Sequence, residues 1–150
     1  MTIHEKIEAD LKEAMRSKEA ERLSVLRMVK SALMNAAIET RGARARLPDP
    51  EAIAVIRKQV KQREDSIEGF EKGGRPELAA KERREIGLLR EYLPVPLSQG
   101  ELEELVKAAV AEVGATSKAQ MGAVMKVVTD KAGGRADGKT LSEAVQKALS

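Results

Sequence analysis

Apolar residues recur at helical spacing along almost the whole chain, with charged residues filling the positions between them. Thr2 and Glu5 form a capping-box pattern. Behind them Ile3, Ile7, Leu11, Ala14 and Met15 mark one stripe, which predicts an amphipathic helix ending near Ser17–Lys18. From about Glu21 to Thr40 the apolar residues occupy more than one side: Leu23, Leu26, Val29 and Leu33, but also Val25, Met28 and Ala32. This second helix is therefore expected to be the most buried. Asp49, Pro50 and Glu51 predict a third helix, with Asp49 as N-cap and proline at the first helical position. Its stripe is Ile53, Ile56, Val60, Ile67 and Phe70, and Gly73-Gly74 stops it. Pro76 opens a fourth helix carrying Leu78, Ile86, Leu89 and Leu93.

The stretch Tyr92-Leu-Pro-Val-Pro-Leu-Ser98 interrupts this pattern, because two prolines two residues apart cannot continue a helix. It is read as a domain boundary, with domains at 1–93 and 98–150 and a proline hinge at 94–97. Beyond it, Ser98 with Glu101 predicts a capped helix on Leu102, Leu105, Val106, Ala109 and Val113, closed by Gly114. Ser117 with Gln120 and Thr140 with Glu143 predict boxes for two more. The expected fold is all-α: an N-terminal helical domain of about four helices plus a C-terminal three-helix domain.

Composition agrees with helices. Hydrophobic content is 42% but nearly all aliphatic, Phe70 and Tyr92 being the only aromatic residues, and cysteine is absent. No run reaches membrane-spanning length, and the first residues alternate charged with apolar, unlike a signal peptide. A cytoplasmic, bacterial-type protein with no membrane association is the expectation. The net charge of +3 comes wholly from residues 1–46, which hold ten Lys/Arg against seven Asp/Glu, while residues 47–150 hold seventeen of each. Arg41, Arg44 and Arg46 cluster in a short loop without an acidic neighbour. Such a loop is either solvated or a contact for nucleic acid or an acidic partner. Arg83, Arg84 and Arg90, by contrast, are balanced by Glu82, Glu85 and Glu91 and read as a solvated face.

One stretch carries a chemical motif. Gly133, Gly138, Lys139 and Thr140 satisfy the phosphate-loop pattern G-x-x-x-x-G-K-[ST]. That loop works when a buried strand delivers glycine-rich N–H groups to phosphates and a helix follows. Here Met121, Val124, Met125, Val127 and Val128 mark a helix before the loop, and only one short helix follows. Gly133, Gly134 and Gly138 are instead expected to supply positive φ in a helix–helix connection. A helix N-terminus beside Arg135 and Lys139 would still attract a phosphate.

Catalysis is not expected. Glutamine amide chemistry needs an activated nucleophile, yet there is no cysteine, and His4 is the only histidine, on a terminal polar face and expected to be solvated. Ser24, Ser31, Ser66, Ser98, Ser117 and Ser142 all sit in predicted helices or at their caps. Clustered metal ligands are not evident, so no metal or cofactor is expected. Two aromatic residues cannot build a base-stacking platform, so any RNA contact would be made to phosphate and shape.

DSIEGFEKGGRPEL at 65–78, EYLP at 91–94, MGAVM at 121–125 and GRADGK at 134–139 together resemble the GatB/YqeY family, most closely its free-standing YqeY-like members. The C-terminal unit, including VMK at 124–126, is similar to the tail domain of the B subunit of tRNA-dependent amidotransferases. The resemblance implies an all-helical protein of two domains linked to glutamyl- or aspartyl-tRNA amidation, since that tail reaches the tRNA. The family association is with a carbon–nitrogen ligase that uses glutamine as amido donor. The free-standing members resemble the tail and its helical neighbour without the part that activates and amidates. The chain departs from the family pattern at Ala123, where lysine is common, and at Pro96, which replaces a frequent glutamine. The first change removes a phosphate contact and the second stiffens the hinge.

These readings make Arg135 and Lys139, on a turn containing Gly134 and Gly138, and then Lys126 on the preceding helix, the candidate tRNA-contacting residues, with Lys118 and Lys131 in support. The expected partners are tRNA and an amidotransferase or other protein. The alternative is a protein–protein adaptor that binds no RNA.

Overall fold

The computed structural model describes residues 1–42 and 46–150. Among these it has seven α-helices, one 3-10 turn and no strand, as an all-α chain requires. The helices are α1 (Ile3–Ser17), α2 (Ala20–Arg41), α3 (Asp49–Lys72), α4 (Pro76–Arg90), α5 (Gln99–Val113), α6 (Met121–Ala132) and α7 (Gly138–Ala148). They fall into two compact units, Met1–Leu93 and Pro94–Ser150.

In the first unit, Ile7 and Leu11 of α1, Val25, Val29 and Leu33 of α2, Ile56 of α3 and Leu89 of α4 share one core. Each is at most 8% exposed, and burial of such a side chain contributes about 1.5–3 kcal/mol. The Thr2–Glu5 capping box forms as expected. Gly74, at φ +71°, lets α3 turn into α4. Tyr92 closes the unit: its hydroxyl donates to Asp10 of α1, and the Lys6 ammonium lies 5.5 Å over its ring. Burial first, then Asp10, pushes the phenol pKa up.

Several expectations for this unit need correction. The second apolar side of α2 is buried only in part: Val25 is in the core and Ala32 is half-buried, but Met28 is about half exposed, as are Met34 and Ile38 on the same helix. Asp49 does not cap α3. The cap residue is Pro48, and the Asp49 carboxylate accepts from the Ile3 N–H at 2.9 Å, tying α3 to the start of α1. His4 is not solvated but 1% exposed. The chain entering α3 lays Leu47 against α1, and the Leu47 N–H donates to His4 Nδ1 at 3.2 Å.

The charges are also paired differently from their sequence neighbours. Arg41 meets Glu51, and Arg46 meets Glu8 at 2.9 Å, so two of the loop arginines do have acidic neighbours. Arg44 lies outside the described residues. Arg83, Arg84 and Arg90 pair with Glu71, Glu21 and Glu64 on other helices. That leaves Glu85, which is 6% exposed and faces a buried Arg63, their Nε and Oε2 atoms 3.5 Å apart. Glu82, 3.9 Å from Arg63, has its pKa raised by burial and then by Glu85.

In the second unit, Leu102 and Val106 of α5, Val124 and Val128 of α6, and Leu141 and Val145 of α7 form a separate core. The helices run only 11 to 15 residues, too short to persist alone in water, so this packing holds them.

Candidate nucleic-acid interface

The candidate residues sit around the connection from α6 to α7. Met121, Val124, Val128 and Ala132 turn one face of α6 into the second core, which leaves Lys126 exposed on another face. The predicted Ser117–Gln120 box does not form. Ser117 makes no side-chain cap, Lys118–Gln120 is a 3-10 turn, and Gln120 instead accepts from the Thr116 N–H at 2.7 Å.

Beyond Ala132 the chain enters the left-handed region twice, at Gly133 (φ +57°) and Gly134 (φ +84°). Two such residues in succession need glycine, because a Cβ there is strained. Gly138 has a different role: it is the first residue of α7. The cap of α7 is also not the expected Thr140. Asp137 takes that position, its Oδ1 accepting from the Thr140 N–H at 2.7 Å. The phosphate-loop match therefore lies on a helix–turn–helix with no strand before it.

Arg135 is a structural residue in this turn. Its Nε donates to the Val95 carbonyl at 2.8 Å, and its Nη2 lies 3.1 Å from Glu101 Oε2. Its own carbonyl accepts from the Leu97 N–H at 3.1 Å. Glu101 is in turn held in the Ser98 capping box, which forms as expected, and its pKa is lowered by the Ser98 backbone, the Ser98 hydroxyl and then Arg135. Arg135 and Lys131 line an open cleft of about 640 Å³ together with Glu101, Glu103 and Glu104. Lys131 pairs with Glu112 at 3.0 Å. Three carboxylates make this cleft a poor place for a phosphate.

Lys139 stands apart from that cleft. It occupies the second position of α7, is exposed, and makes no ion pair among the described residues. Lys126 and Lys118 are likewise exposed and without an ion pair among the described residues. The Gly138 and Lys139 N–H groups lie in the first turn, where the helix supplies no acceptor. Sequence reasoning missed Glu101 and Val95 as partners of Arg135, residues 34 and 40 positions away. It also missed Asp137, which the pattern D-G-K-T did signal as a cap.

Residues 4–149 match the family model described as Yqey-like protein. The chain belongs to the YqeY-like family. It is similar to a protein of Pyrenophora tritici-repentis named "Altered inheritance of mitochondria protein 41, mitochondrial". The two are 32% identical over 148 residues, covering 96% of this chain and 79% of the relative. A protein of the same name from Candida glabrata is 32% identical over 96 residues, 63% of this chain and 52% of that relative. The YqeY-like match spans both units, so the α6–α7 turn is part of the family region. Among the described residues no helix is long and apolar enough to cross a membrane. Nor does any group of three or more His, Cys, Asp or Glu gather there as metal ligands.

Proposed function

We propose that this YqeY-like protein is an accessory factor that binds tRNA through the phosphate backbone, in systems that amidate aminoacyl-tRNA, without catalysis of its own. The supporting observation is Lys139, exposed and without an ion pair among the described residues, in the first turn of α7 beside N–H groups that the helix leaves without acceptors. Lys126 and Lys118 add exposed positive charge on the same unit. Arg135 serves this surface by holding its scaffold, and Gly134 and Gly138 shape the turn. The division into a four-helix and a three-helix domain and a cytoplasmic setting belong to this proposal. The word mitochondrial is part of the relatives' names.

The test is a titration of labelled tRNA with the full chain by fluorescence anisotropy at two salt concentrations. Binding should weaken with salt. Lys126→Glu/Lys139→Glu should weaken it further and lower the salt slope by about 1 for each phosphate that a lysine no longer neutralises. No binding at low salt overturns the proposal.

A second reading, a protein adaptor that binds no RNA, is favoured by the exposure of Met28, Met34 and Ile38 on α2. The same titration decides between them.

A further inference from the structure

The second unit has a concave surface on which the tRNA reading makes no demand. A groove of about 370 Å³ runs between α5 and α7, with Val106 and Val110 along one side and Ala144 and Ala148 along the other. Ala144 and Ala148 form an i,i+4 row, the ridge that a packing helix meets, while Val110 is half-buried and Val106 lies at the floor, already part of the core. No residue of α6 lines it, so two helices alone form its walls. The two alanines are small enough to admit a backbone closely.

Charge narrows the occupant. Lys107 and Lys147 stand at the rim, both exposed and without an ion pair among the described residues. The lining also holds one carboxylate, Glu103, which accepts from the Gln99 side-chain amide at 3.0 Å and keeps its charge. Two lysines against one carboxylate leave the rim net positive above an aliphatic floor. Nucleic acid does not suit that combination, because the floor offers no donors to phosphates and no aromatic ring for bases. An amphipathic helix does. It would seat apolar side chains at i, i+3 or i+4, and i+7 on the valines and the alanine row and direct carboxylates to the two lysines.

We propose that the α5–α7 groove docks an acidic amphipathic helix of a protein partner, which completes a four-helix arrangement around this unit. The site would make the protein an adaptor as well as an RNA binder, with the two surfaces on different parts of the unit.

The test uses the full chain, labelled with nitrogen-15, and a synthetic helix of about 18 residues with a leucine stripe flanked by glutamates. The control peptide has lysine in place of every glutamate. The acidic peptide should move the amide resonances of residues 103–110 and 144–148 in a saturable way, at least about tenfold more tightly than the control, a difference of about 1.4 kcal/mol. Lys107→Glu/Lys147→Glu should reverse that preference, and Ala144→Gln should abolish binding while helicity stays unchanged. Equal binding of both peptides, or shifts centred elsewhere, overturns the proposal. So does displacement of the peptide by tRNA acting on the same amides. Self-association of the chain that disappears on Ala148→Glu also overturns it, by assigning the groove to a second copy.

Discussion

The Arg135 guanidinium donates to the carbonyl of Val95 at 2.8 Å. Residues 95–97 cannot satisfy themselves as a helix, because Pro94 and Pro96 remove two donors and disfavour helix in their predecessors. Arg135 supplies a donor for one orphan carbonyl, and its own carbonyl takes the Leu97 N–H. One residue of the α6–α7 turn thus holds the proline segment both as donor and as acceptor. The same planar fork reaches Glu101, which a lysine could not do in one geometry.

Arg135→Ala should therefore free the proline segment without unfolding the unit. Hydrogen exchange at the Leu97 amide should accelerate, and stability should fall by about 1 kcal/mol, as when a typical hydrogen bond is removed. Arg135→Lys should rescue little of either. An unchanged Leu97 exchange rate in Arg135→Ala would show that the main-chain carbonyl of residue 135, which alanine keeps, holds the segment without the guanidinium.

Arg63 and Glu85 are only 5% and 6% exposed. Arg63 also donates Nη1 to the Gln59 side-chain oxygen at 2.9 Å. Its Nε has no hydrogen-bond partner, so the charge depends on the nearby carboxylates. Glu85→Ala should cost about 3 kcal/mol in urea unfolding, because it leaves the buried guanidinium with only the more distant Glu82 carboxylate. The double change Arg63→Met/Glu85→Leu should recover most of that. A double variant as unstable as the single one would show that the pair contributes more than the mutual neutralisation of two buried charges.

Much of the fold was legible because its signals are local. The Thr2–Glu5 and Ser98–Glu101 boxes form as read, each with a carboxylate at the third position. The same pattern misled at Ser117–Gln120, where Gln120 found the Thr116 N–H instead. It misled again at Thr140, because Asp137 stands earlier in the chain and its carboxylate takes the Thr140 N–H. What periodicity cannot show is pairing across the fold. His4 is buried by Leu47, 43 residues on, and Arg63 is neutralised from α4. In the candidate site the turn glycines were readable from their type, except Gly138, which the Asp137 cap draws into α7. That Arg135 is already engaged was not readable, since its partners belong to the proline segment and α5.

His4 should contribute to the loss of stability on acidification. Its Nδ1 accepts from the Leu47 N–H, so the neutral ring carries its proton on Nε2, 3.3 Å from Glu8 Oε1 without hydrogen-bonding alignment. Burial, outweighing the attraction of Glu8, lowers its pKa below 6.5. The unfolded chain therefore binds this proton more readily than the folded one. The stabilisation is complete above about pH 6.5 and is lost as pH falls from there through the folded pKa. Urea midpoints should drop across that window, and His4→Asn, which keeps an acceptor but does not titrate, should flatten the drop. An equal drop in both proteins would assign the acid limb to other groups.

Asp137 combines a capping role with a negative charge, and the two can be separated. Its carboxylate stabilises α7 by accepting the Thr140 N–H, and it places a negative charge where a phosphate would have to approach. Asp137→Ser keeps a capping oxygen and removes the charge. Stability should change by no more than about 0.5 kcal/mol, because serine and aspartate cap about equally well. Asp137→Ala should cost about 1 kcal/mol. If tRNA phosphate meets the first turn of α7 beside Lys139, Asp137→Ser should bind tRNA several-fold more tightly at low salt, an advantage that shrinks as salt rises. Lys139→Glu should cancel the gain. Equal tRNA affinity for Asp137→Ser and the unmodified protein, with the stability of α7 intact, would move the phosphate contact away from this helix end to the exposed lysines of α6 and the 3-10 turn, Lys126 and Lys118.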